Sequence, residues 1–305
     1  MRVGIQILNH NGLKWLPGLL DSLTRFGAED QIVYLVDNCS TDSSVDFVVN
    51  HYPNVVIIPM EKNWGYGQAY NRSIPRAFAD GCDWVCLQNT DTIVTKSWLK
   101  PLAQVASADP KTGIMGPVFW EWETDSPNYY MQGRCPEVIE CMLDQNHAPF
   151  NKDWIEGSSF FIRKECFEQI GGFDPLYFMY WEDAEYCRRA RYFGWRVSIV
   201  PGSLCRHHAK GSAADLGPGF FELRNHFLFK MTDPSSDYMK NVLLAIRLGF
   251  THLKHSLAPP NGKLVAELLQ AGCSASLFFN RCRRRRLAIR LAKEMAGAGE
   301  TVHAS

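Results

Sequence analysis

The sequence predicts an α/β fold with a Rossmann-like, doubly wound and mostly parallel sheet. Through the first hundred residues, short apolar runs alternate with stretches of helical periodicity. This alternation is typical of buried parallel strands joined by crossover helices. Turns rich in Asn and Asp follow the runs that end at Leu8, Val36 and Leu87. Because such sheets bind ligands at the carboxyl ends of their strands, these turns predict a shared ligand site.

The first part of the chain contains the strands that carry this site. Strands are predicted over residues 3–8, 32–36, 55–59 and 84–87, with helices over 13–26 and 43–51, and a third helix that follows the segment 63–67 and runs through residue 79. Leucines at helical spacing between positions 16 and 23 favour the first helix. Ser40, Thr41 or Asp42 can cap the second helix. The result is a βαβαβαβ unit with right-handed crossovers.

The rest of the chain is less regular. Further strands are predicted over 113–119, 154–163 and 196–200, the last closed by Pro201-Gly202, with helices over 164–170 and 183–193. The composition of residues 121–149, rich in turn-forming and aromatic residues, predicts an irregular loop or short hairpin over the site. Helical patterns cover 238–257 and 262–293. The predicted division is a domain over residues 1–232, with halves that meet near residue 110, and a helical extension over residues 233–305.

Composition limits the class of protein. The 305 residues are 46% hydrophobic and 21% charged, which suits a globular enzyme with a large core. The formal net charge is zero, so no overall field favours nucleic acid. The ten cysteines form no CxxC pair, which argues against structural zinc. The chain begins with a strand pattern and has no spanning apolar run, so we expect a cytoplasmic protein with reduced thiols.

Two turns at the predicted sheet edge carry candidate ligand-binding groups. Asp37-Asn38 is either a helix-capping turn or part of a nucleotide pocket, in which the carboxylate accepts hydrogen bonds from base or ribose. Asn89-Thr90-Asp91 offers oxygen ligands that suit Mg²⁺ or Mn²⁺, although the triplet is also common in surface turns. Its position directly after a buried strand favours the functional interpretation.

Two later motifs carry candidate catalytic groups. Glu182-Asp183 follows a largely aromatic run at 177–181. Acids favour the first turn of a helix, but an aromatic wall beside a carboxylate also raises its basicity and suits a general base. His207-His208 follows a strand, and a neutral imidazole from either residue could complete a metal site with Asp91.

A basic amphipathic pattern covers residues 277–295, with arginines concentrated between 281 and 290. One interpretation is docking on an anionic membrane surface. The alternatives are a solvated helix end or a contact in a homo-oligomer. No RNA-binding module accompanies the run, so we expect no nucleic-acid partner.

The motifs also occur in a characteristic order along the chain. They are VDNCSTD at 36–42, NWGYGQAYN at 63–71, LQNTDT at 87–92, GGFD at 171–174, YWEDAE at 180–185, CRR at 187–189, HHAKGS at 207–212 and RN at 224–225. This set resembles the family 2 glycosyltransferases, in the rhamnosyltransferase-like branch of cell-surface polysaccharide synthesis. The resemblance covers about residues 3–230. It implies a GT-A fold, in which residues 1–110 hold the nucleotide sugar and residues 111–232 hold the acceptor.

The resemblance also implies roles for individual residues. The nucleotide-sugar residues are Asn9, Asn11, Asp37, Asn63, Gly65 and Asn89. Asp91 and His207 match metal ligands, with His208 as the alternative to His207. Asp183 matches the general base, and Trp181 and Glu182 line the acceptor side. Cys39 stands where the family usually has Gly, so the backbone of that turn is in question.

The implied activity is inverting, metal-dependent transfer of a sugar from a dTDP- or UDP-linked donor to a glycan or lipid-linked acceptor. Mn²⁺ or Mg²⁺ would be the cofactor, and the protein would sit in the cytoplasm or at the inner face of the membrane. One alternative is a nucleotidyltransferase, although Asn9-His10-Asn11-Gly12 is not a basic, Gly-rich phosphate loop. Another is a nucleotide-sugar or carbohydrate-binding protein without catalysis.

Overall fold

A computed structural model describes residues 1–124, 126–143, 148–208, 219–256 and 262–302. The chain forms two compact units, each with its own hydrophobic core. The first unit contains described residues 1–175 and 186–208. The second contains described residues 176–185 and 219–302. Among the described helices, none is both long enough and apolar enough to span a bilayer.

The first unit contains a nine-stranded sheet in the order β3-β2-β1-β4-β8-β6-β9-β5, with β7 paired to β9. The strands are β1 (Val3–Asn9), β2 (Ile32–Asp37), β3 (Val56–Pro59), β4 (Trp84–Asn89), β5 (Thr92–Val94), β6 (Thr112–Glu121), β7 (Phe150–Asn151), β8 (Ser159–Arg163) and β9 (Arg196–His207). Strands β3, β2, β1 and β4 are all parallel, as the sequence predicts.

The register of these strands brings the predicted turns together. Asn9 lies opposite Asp37, and Leu8 lies opposite Asn89. The turns after β1, β2 and β4 therefore lie side by side at the carboxyl edge of the sheet, where α/β folds bind ligands.

The other half of the sheet is mixed. Strand β8 runs antiparallel to both β4 and β6, whereas β6 and β9 are parallel. The sequence pattern does not reveal the reversal at β8. Strands β4 and β8 are both almost completely buried, and burial on both faces gives the same apolar run whichever way a strand points.

Helices cover the sheet and build the second unit. They are α1 (Leu16–Phe26), α2 (Ser44–His51), α3 (Gly65–Ala79), α4 (Leu99–Ala108), α5 (Tyr129–Arg134), α6 (Pro136–Leu143), α7 (Lys164–Ile170), α8 (Glu182–Tyr192), α9 (Gly219–Met231), α10 (Tyr238–Ser256), α11 (Gly262–Leu277) and α12 (Phe279–Val302). The first four residues of α8 belong to the second unit and the remainder to the first.

The expectation of an irregular segment over 121–149 is wrong, because the segment contains α5 and α6. Asn128 caps α5 by accepting a hydrogen bond at Oδ1 from Met131 N, at 3.0 Å. Met131, Cys135 and Val138 are buried and recur at helical spacing, a short stripe among the turn-forming residues. Residues 125 and 144–147 of this segment lie outside the described residues.

Two predicted boundaries also differ from the structure. Strand β9 does not end at Pro201-Gly202 but continues to His207, because a register shift opposite β6 accommodates the extra residues between Val200 and Leu204. The predicted helix over 262–293 is two helices, α11 and α12, separated at Phe278. The end of the predicted helix over 238–257 falls at residue 257, outside the described residues.

Candidate active site

Asn9 connects the turns after β1 and β2. Its Nδ2 donates to Asp37 Oδ1 at 3.2 Å, to Ser40 Oγ at 2.9 Å and to Ser44 Oγ at 2.8 Å. Its Oδ1 accepts from the backbone of Gly12 at 3.1 Å. Asn9 is fully buried, so its side chain holds the turns after β1 and β2 together. The same tight packing requires glycine at position 12, where a Cβ would lie 2.5 Å from Asn9 Oδ1.

The neighbouring turns are held by Asn11 and Cys39. Asn11 Oδ1 accepts hydrogen bonds from the backbone of Thr41 at 2.7 Å and of Asp42 at 3.2 Å. Asn11 has a φ of +57° and Cys39 a φ of +66°, both in the left-handed region. The Cys39 turn therefore keeps the backbone conformation that glycine adopts most easily, although a side chain is present.

Asn38 attaches the loop before α3 to the end of β2. Its Nδ2 donates to Asn63 Oδ1 at 2.9 Å, and its Oδ1 accepts from the backbone of Trp64 at 2.8 Å. Asn63 Oδ1 also accepts from Gly65 N at 2.8 Å, and Gly65 has a φ of +72°. Asn63 and Gly65 therefore lie next to Asn38, directly after Asp37 at the end of β2.

Asn89 and Asp91 lie where β4 passes into β5. Asn89 Nδ2 donates to Ser158 Oγ at 3.3 Å, and its backbone N donates to Ser158 O at 3.0 Å. Asp91 is almost fully buried, and its carbonyl accepts from His208 N at 2.9 Å. These bonds fix the turn between the segment before β8 and the end of β9.

His207 lies between two carboxylates. Its Nδ1 is 2.8 Å from Glu156 Oε1, and its Nε2 is 3.7 Å from Asp91 Oδ1. Burial opposes protonation of the ring, but the charges of Glu156 and Asp91 and the hydrogen bond to Glu156 outweigh it and raise the pKa of His207. Burial likewise disfavours the Glu156 carboxylate, but the charge of His207 and hydrogen bonds from His207 and Ser158 lower the pKa of Glu156.

His208 has a different environment from His207. Its ring centroid lies 4.7 Å from that of Trp15 and 6.0 Å from that of Trp122. Of the two histidines, His207 is the one whose ring nitrogen approaches the Asp91 carboxylate.

Two side chains here are suitable ligands for a divalent cation. Asp91 supplies a carboxylate and His207 an imidazole. In the part of the chain that the structure describes, no group of three or more His, Cys, Asp or Glu side chains has metal-binding geometry. The protein could therefore contribute two ligands, which is a normal number for a cation that also binds phosphate oxygens and water.

The second unit presents the acidic motif after a strained turn. Tyr180 and Trp181 have φ values of +70° and +69°, which is rare for residues with large side chains. Asn225 on α9 holds this turn, since its Nδ2 donates to Met179 O at 2.8 Å and to Tyr180 O at 2.9 Å. The Trp181 ring stacks on His226, with centroids 4.2 Å apart. Strain that neighbouring structure maintains in this way commonly marks a functional segment.

Helix α8 starts directly after this turn, and its two first acids have different environments. Asp183 is partly exposed, and its Oδ1 accepts from Ala184 N at 2.7 Å. Glu182 is 6% exposed. Burial, and then the charge of Asp183, raises the pKa of Glu182 to about 8. The desolvated carboxylate that the aromatic run predicts is therefore Glu182, while Asp183 keeps access to solvent.

A model of the family described as glycosyl transferase family 2 matches residues 5–171, which is more than half of the chain. This chain belongs to glycosyl transferase family 2. The protein is a glycosyltransferase, and the family match extends from within β1 to the end of α7, including the turns after β1, β2 and β4.

Within the family, the chain is similar to rhamnosyltransferases. It is 31% identical over 223 residues to the N-acetylglucosaminyl-diphospho-decaprenol L-rhamnosyltransferase of Mycobacterium tuberculosis. The alignment covers 63% of this chain and 71% of that protein.

Solved structures show the GT-A fold of the family. S. aureus TarS 1-349 in complex with UDP-GlcNAc matches with a TM-score of 0.60 at 15% identity, covering 98% of this chain and 92% of that chain. The mannosyltransferase PcManGT from Pyrobaculum calidifontis, in complex with GDP-Man and Mn²⁺, matches with a TM-score of 0.55 at 17% identity. That match covers 96% of this chain and 86% of that chain.

Two residues of the candidate site were not identified from the sequence. Glu156 and Ser158 contact His207 and Asn89, yet they precede a strand without a recognisable motif. A polar Glu-Gly-Ser-Ser stretch before an apolar run was the available signal. The hydrogen bonds that Asn38 and Asn225 make to neighbouring loops were also not predicted, although both residues lie within motifs. Positions 209–212 of the His207 motif lie outside the described residues.

Proposed function

We propose that this glycosyltransferase transfers rhamnose from a nucleoside diphosphate to a hydroxyl group of a lipid-linked glycan precursor. Similarity to a rhamnosyltransferase that acts on a diphospho-decaprenol-linked sugar carries the proposal. The site residues agree with it, because Asp37, Asn63 and Gly65 surround the strand ends where a nucleotide would bind. The donor nucleotide is deoxythymidine diphosphate in this proposal, with uridine diphosphate as the alternative.

In the proposed mechanism, the donor binds at the carboxyl edge of the sheet in the first unit. Asn11, Asp37 and Asn89 contact the nucleotide sugar, and Asn9 holds their loops in place. Asp91 and His207 would hold Mn²⁺ or Mg²⁺, which would supply positive charge to stabilise the leaving diphosphate.

The proposed chemistry of the acceptor uses the second unit. Asp183 accepts the proton of the attacking hydroxyl, because an acceptor can reach its partly exposed carboxylate, whereas Glu182 is buried. Trp181 and Glu182 line the acceptor side. Because the hydroxyl oxygen displaces the diphosphate in one step from the opposite face, the configuration at the anomeric carbon inverts.

The proposed location is the inner face of the membrane, where residues 277–295 would meet anionic lipid. Arg286 and Arg290 of this segment donate to the carbonyls of Asp233 and Pro234, at 3.0 Å and 2.8 Å. Arg281, Arg283 and Arg284 are exposed and could face headgroups. The division at residue 232 and a homo-oligomeric state remain predictions.

A donor panel tests the proposal. Nucleoside diphosphate release is measured with dTDP-rhamnose and with UDP-linked hexoses, using a polyprenyl-diphosphate-linked N-acetylglucosamine as acceptor, with Mn²⁺, with Mg²⁺ and with chelator. We expect metal-dependent release from dTDP-rhamnose, and an inverted anomeric configuration in the product by NMR. Turnover of a UDP-hexose alone would overturn the donor assignment, and release that persists in chelator would overturn the metal assignment.

A further inference from the structure

Helix α10 carries an exposed apolar stripe. Met239, Leu243, Ile246 and Phe250 are 59%, 63%, 52% and 63% exposed. Their spacing of four, three and four residues places them along one face of the helix. The stripe extends over about 17 Å at 1.5 Å per residue.

The opposite side of α10 already has its partners. Tyr238, Asn241 and Ala245 are buried, and Ala245 belongs to the hydrophobic core of the second unit. The exposed stripe is therefore a second apolar face in addition to the one that anchors the helix. A helix that only completes a core presents polar residues on its outer face, so this outer face requires another explanation.

Basic residues lie along one edge of the stripe. Lys240 and Arg247 are exposed and follow Met239 and Ile246 by one residue, which places both cations on the same side. The sequence of α10 contains no Asp or Glu from Tyr238 to Ser256, and it contains a third cation, Lys254. One acid flanks the helix, since Asp237 directly before Tyr238 accepts a hydrogen bond from Lys240 N at 3.1 Å. The face therefore combines exposed apolar area with a small excess of positive charge.

We propose that this face of α10 lies in the headgroup region of an anionic lipid bilayer. Large apolar side chains beside Lys and Arg are the features by which helices bind in the plane of a membrane interface. Anionic headgroups supply the opposite charge that Lys240 and Arg247 lack on their own helix. Pairing the stripe with that of a second copy would add no Asp or Glu from α10 itself, because residues 238–256 contain none, so an anionic bilayer is the occupant that matches this charge.

The inference gives the protein a membrane-docking surface in addition to residues 277–295. The inference rests on the proposed function only for the biological role of the membrane contact, because lipid binding itself is measured without donor or acceptor. A failure of lipid binding and a failure of sugar transfer therefore appear in different experiments.

Vesicle flotation of the full chain tests the inference. Vesicles of phosphatidylcholine, with and without phosphatidylglycerol, are compared for the wild type, for Leu243→Gln with Phe250→Gln, and for Lys240→Gln with Arg247→Gln. Val49→Gln is the matched control, since Val49 is 55% exposed on α2 in the first unit. Thermal unfolding of each variant confirms that it is folded.

We expect the wild type and Val49→Gln to float with vesicles that contain phosphatidylglycerol. The Leu243 and Phe250 pair should bind these vesicles about tenfold more weakly. The variant with Lys240→Gln and Arg247→Gln should bind about fivefold more weakly for each residue changed, and only to vesicles that contain phosphatidylglycerol.

Three results would overturn the inference. The first is a folded wild type that does not float with either vesicle. The second is unchanged binding by the Leu243 and Phe250 pair. The third is sedimentation showing a wild-type dimer that the same pair dissociates, since the stripe would then be a contact between copies.

Discussion

Glu156 Oε1 lies 2.8 Å from Nδ1 of His207, whose other ring nitrogen lies 3.7 Å from Asp91 Oδ1. A carboxylate on the far nitrogen of a histidine fixes the orientation of the ring and the position of its proton. Glu156 is therefore placed to direct Nε2 of His207 toward the candidate cation position. This arrangement leads to the first prediction.

Glu156→Gln should weaken Mn²⁺ binding, because the neutral amide no longer orients His207. Loss of such a supporting carboxylate typically lowers metal affinity about 10–100-fold. Electron paramagnetic resonance of free Mn²⁺ measures the affinity without turnover. Glu165→Gln, at an exposed site on α7, serves as the control. Equal Mn²⁺ affinity in both variants would show that Glu156 does not position the ligand.

Asp183→Asn should abolish most sugar transfer and leave donor binding near the wild-type value. An amide cannot accept the hydroxyl proton, and removal of a general base typically costs about 10²–10⁴-fold in rate. Calorimetry gives donor affinity, and nucleoside diphosphate release gives kcat. Asp46→Asn, exposed on α2, is the matched control. A variant that keeps most of its kcat would remove Asp183 from the role of base.

Asn225→Ala should lower kcat with little effect on donor affinity. The substitution removes both hydrogen bonds that hold the strained turn at Tyr180 and Trp181. Leaving those carbonyls without their donor should also cost about 1–3 kcal/mol of unfolding free energy. Urea unfolding measures the stability, and Asn50→Ala, exposed on α2, is the comparison. An unchanged kcat would mean that the turn does not set the position of the acidic motif.

Cys39→Gly should preserve activity and change stability by about 1 kcal/mol or less. Glycine relieves the cost of a side chain at a φ of +66°, but it also increases the entropy of the unfolded chain. Cys39→Val should destabilise by about 1–2 kcal/mol, because a β-branched residue is poorly tolerated in this region. Denaturant unfolding compares the three proteins. Equal stability of the Val and Gly variants would contradict a left-handed backbone at this turn.

Glu182→Gln should make the protein more stable at alkaline pH. The pKa of Glu182 is raised to about 8 in the folded state, so the native protein retains a proton that the unfolded chain releases near the ordinary glutamate pKa of 4.5. The wild type therefore loses stability as pH rises through this window, by at most about 5 kcal/mol.

The variant has no charge to bury at position 182, so its stability advantage should grow from pH 5 to pH 8. Denaturant unfolding at several pH values measures this advantage. If the unfolding free energies of the variant and the wild type changed in parallel with pH, Glu182 would not have a raised pKa in the folded protein.

The sequence predicts the parallel half of the sheet because two local signals agree there. Apolar runs mark β1, β2 and β4, and Asn and Asp mark the turns that follow. In a parallel sheet, strand ends with these turns must lie at one edge. The approach of Asn9 to Asp37 therefore follows from the pattern and the topology together.

The remainder depends on contacts that no local pattern contains. The direction of β8 is set by its pairing with β4 and β6, and the passage of β9 through Pro201-Gly202 depends on a register shift against β6. Glu156 enters the site only because β8 and β9 bring distant segments together. The prediction of one continuous helix over 262–293 fails at Phe278, where tertiary packing overrides helix propensity.

The assignment of residues 176–185 to the second unit has a consequence for the order of synthesis. Asn225 and the core of α9, α10 and α11 must leave the ribosome before the turn at Tyr180 can be held. The sheet of the first unit, in contrast, is complete once β9 has emerged. A nascent or truncated chain could therefore bind its donor before its proposed base is in place, and the C-terminal helices would decide when the enzyme becomes competent.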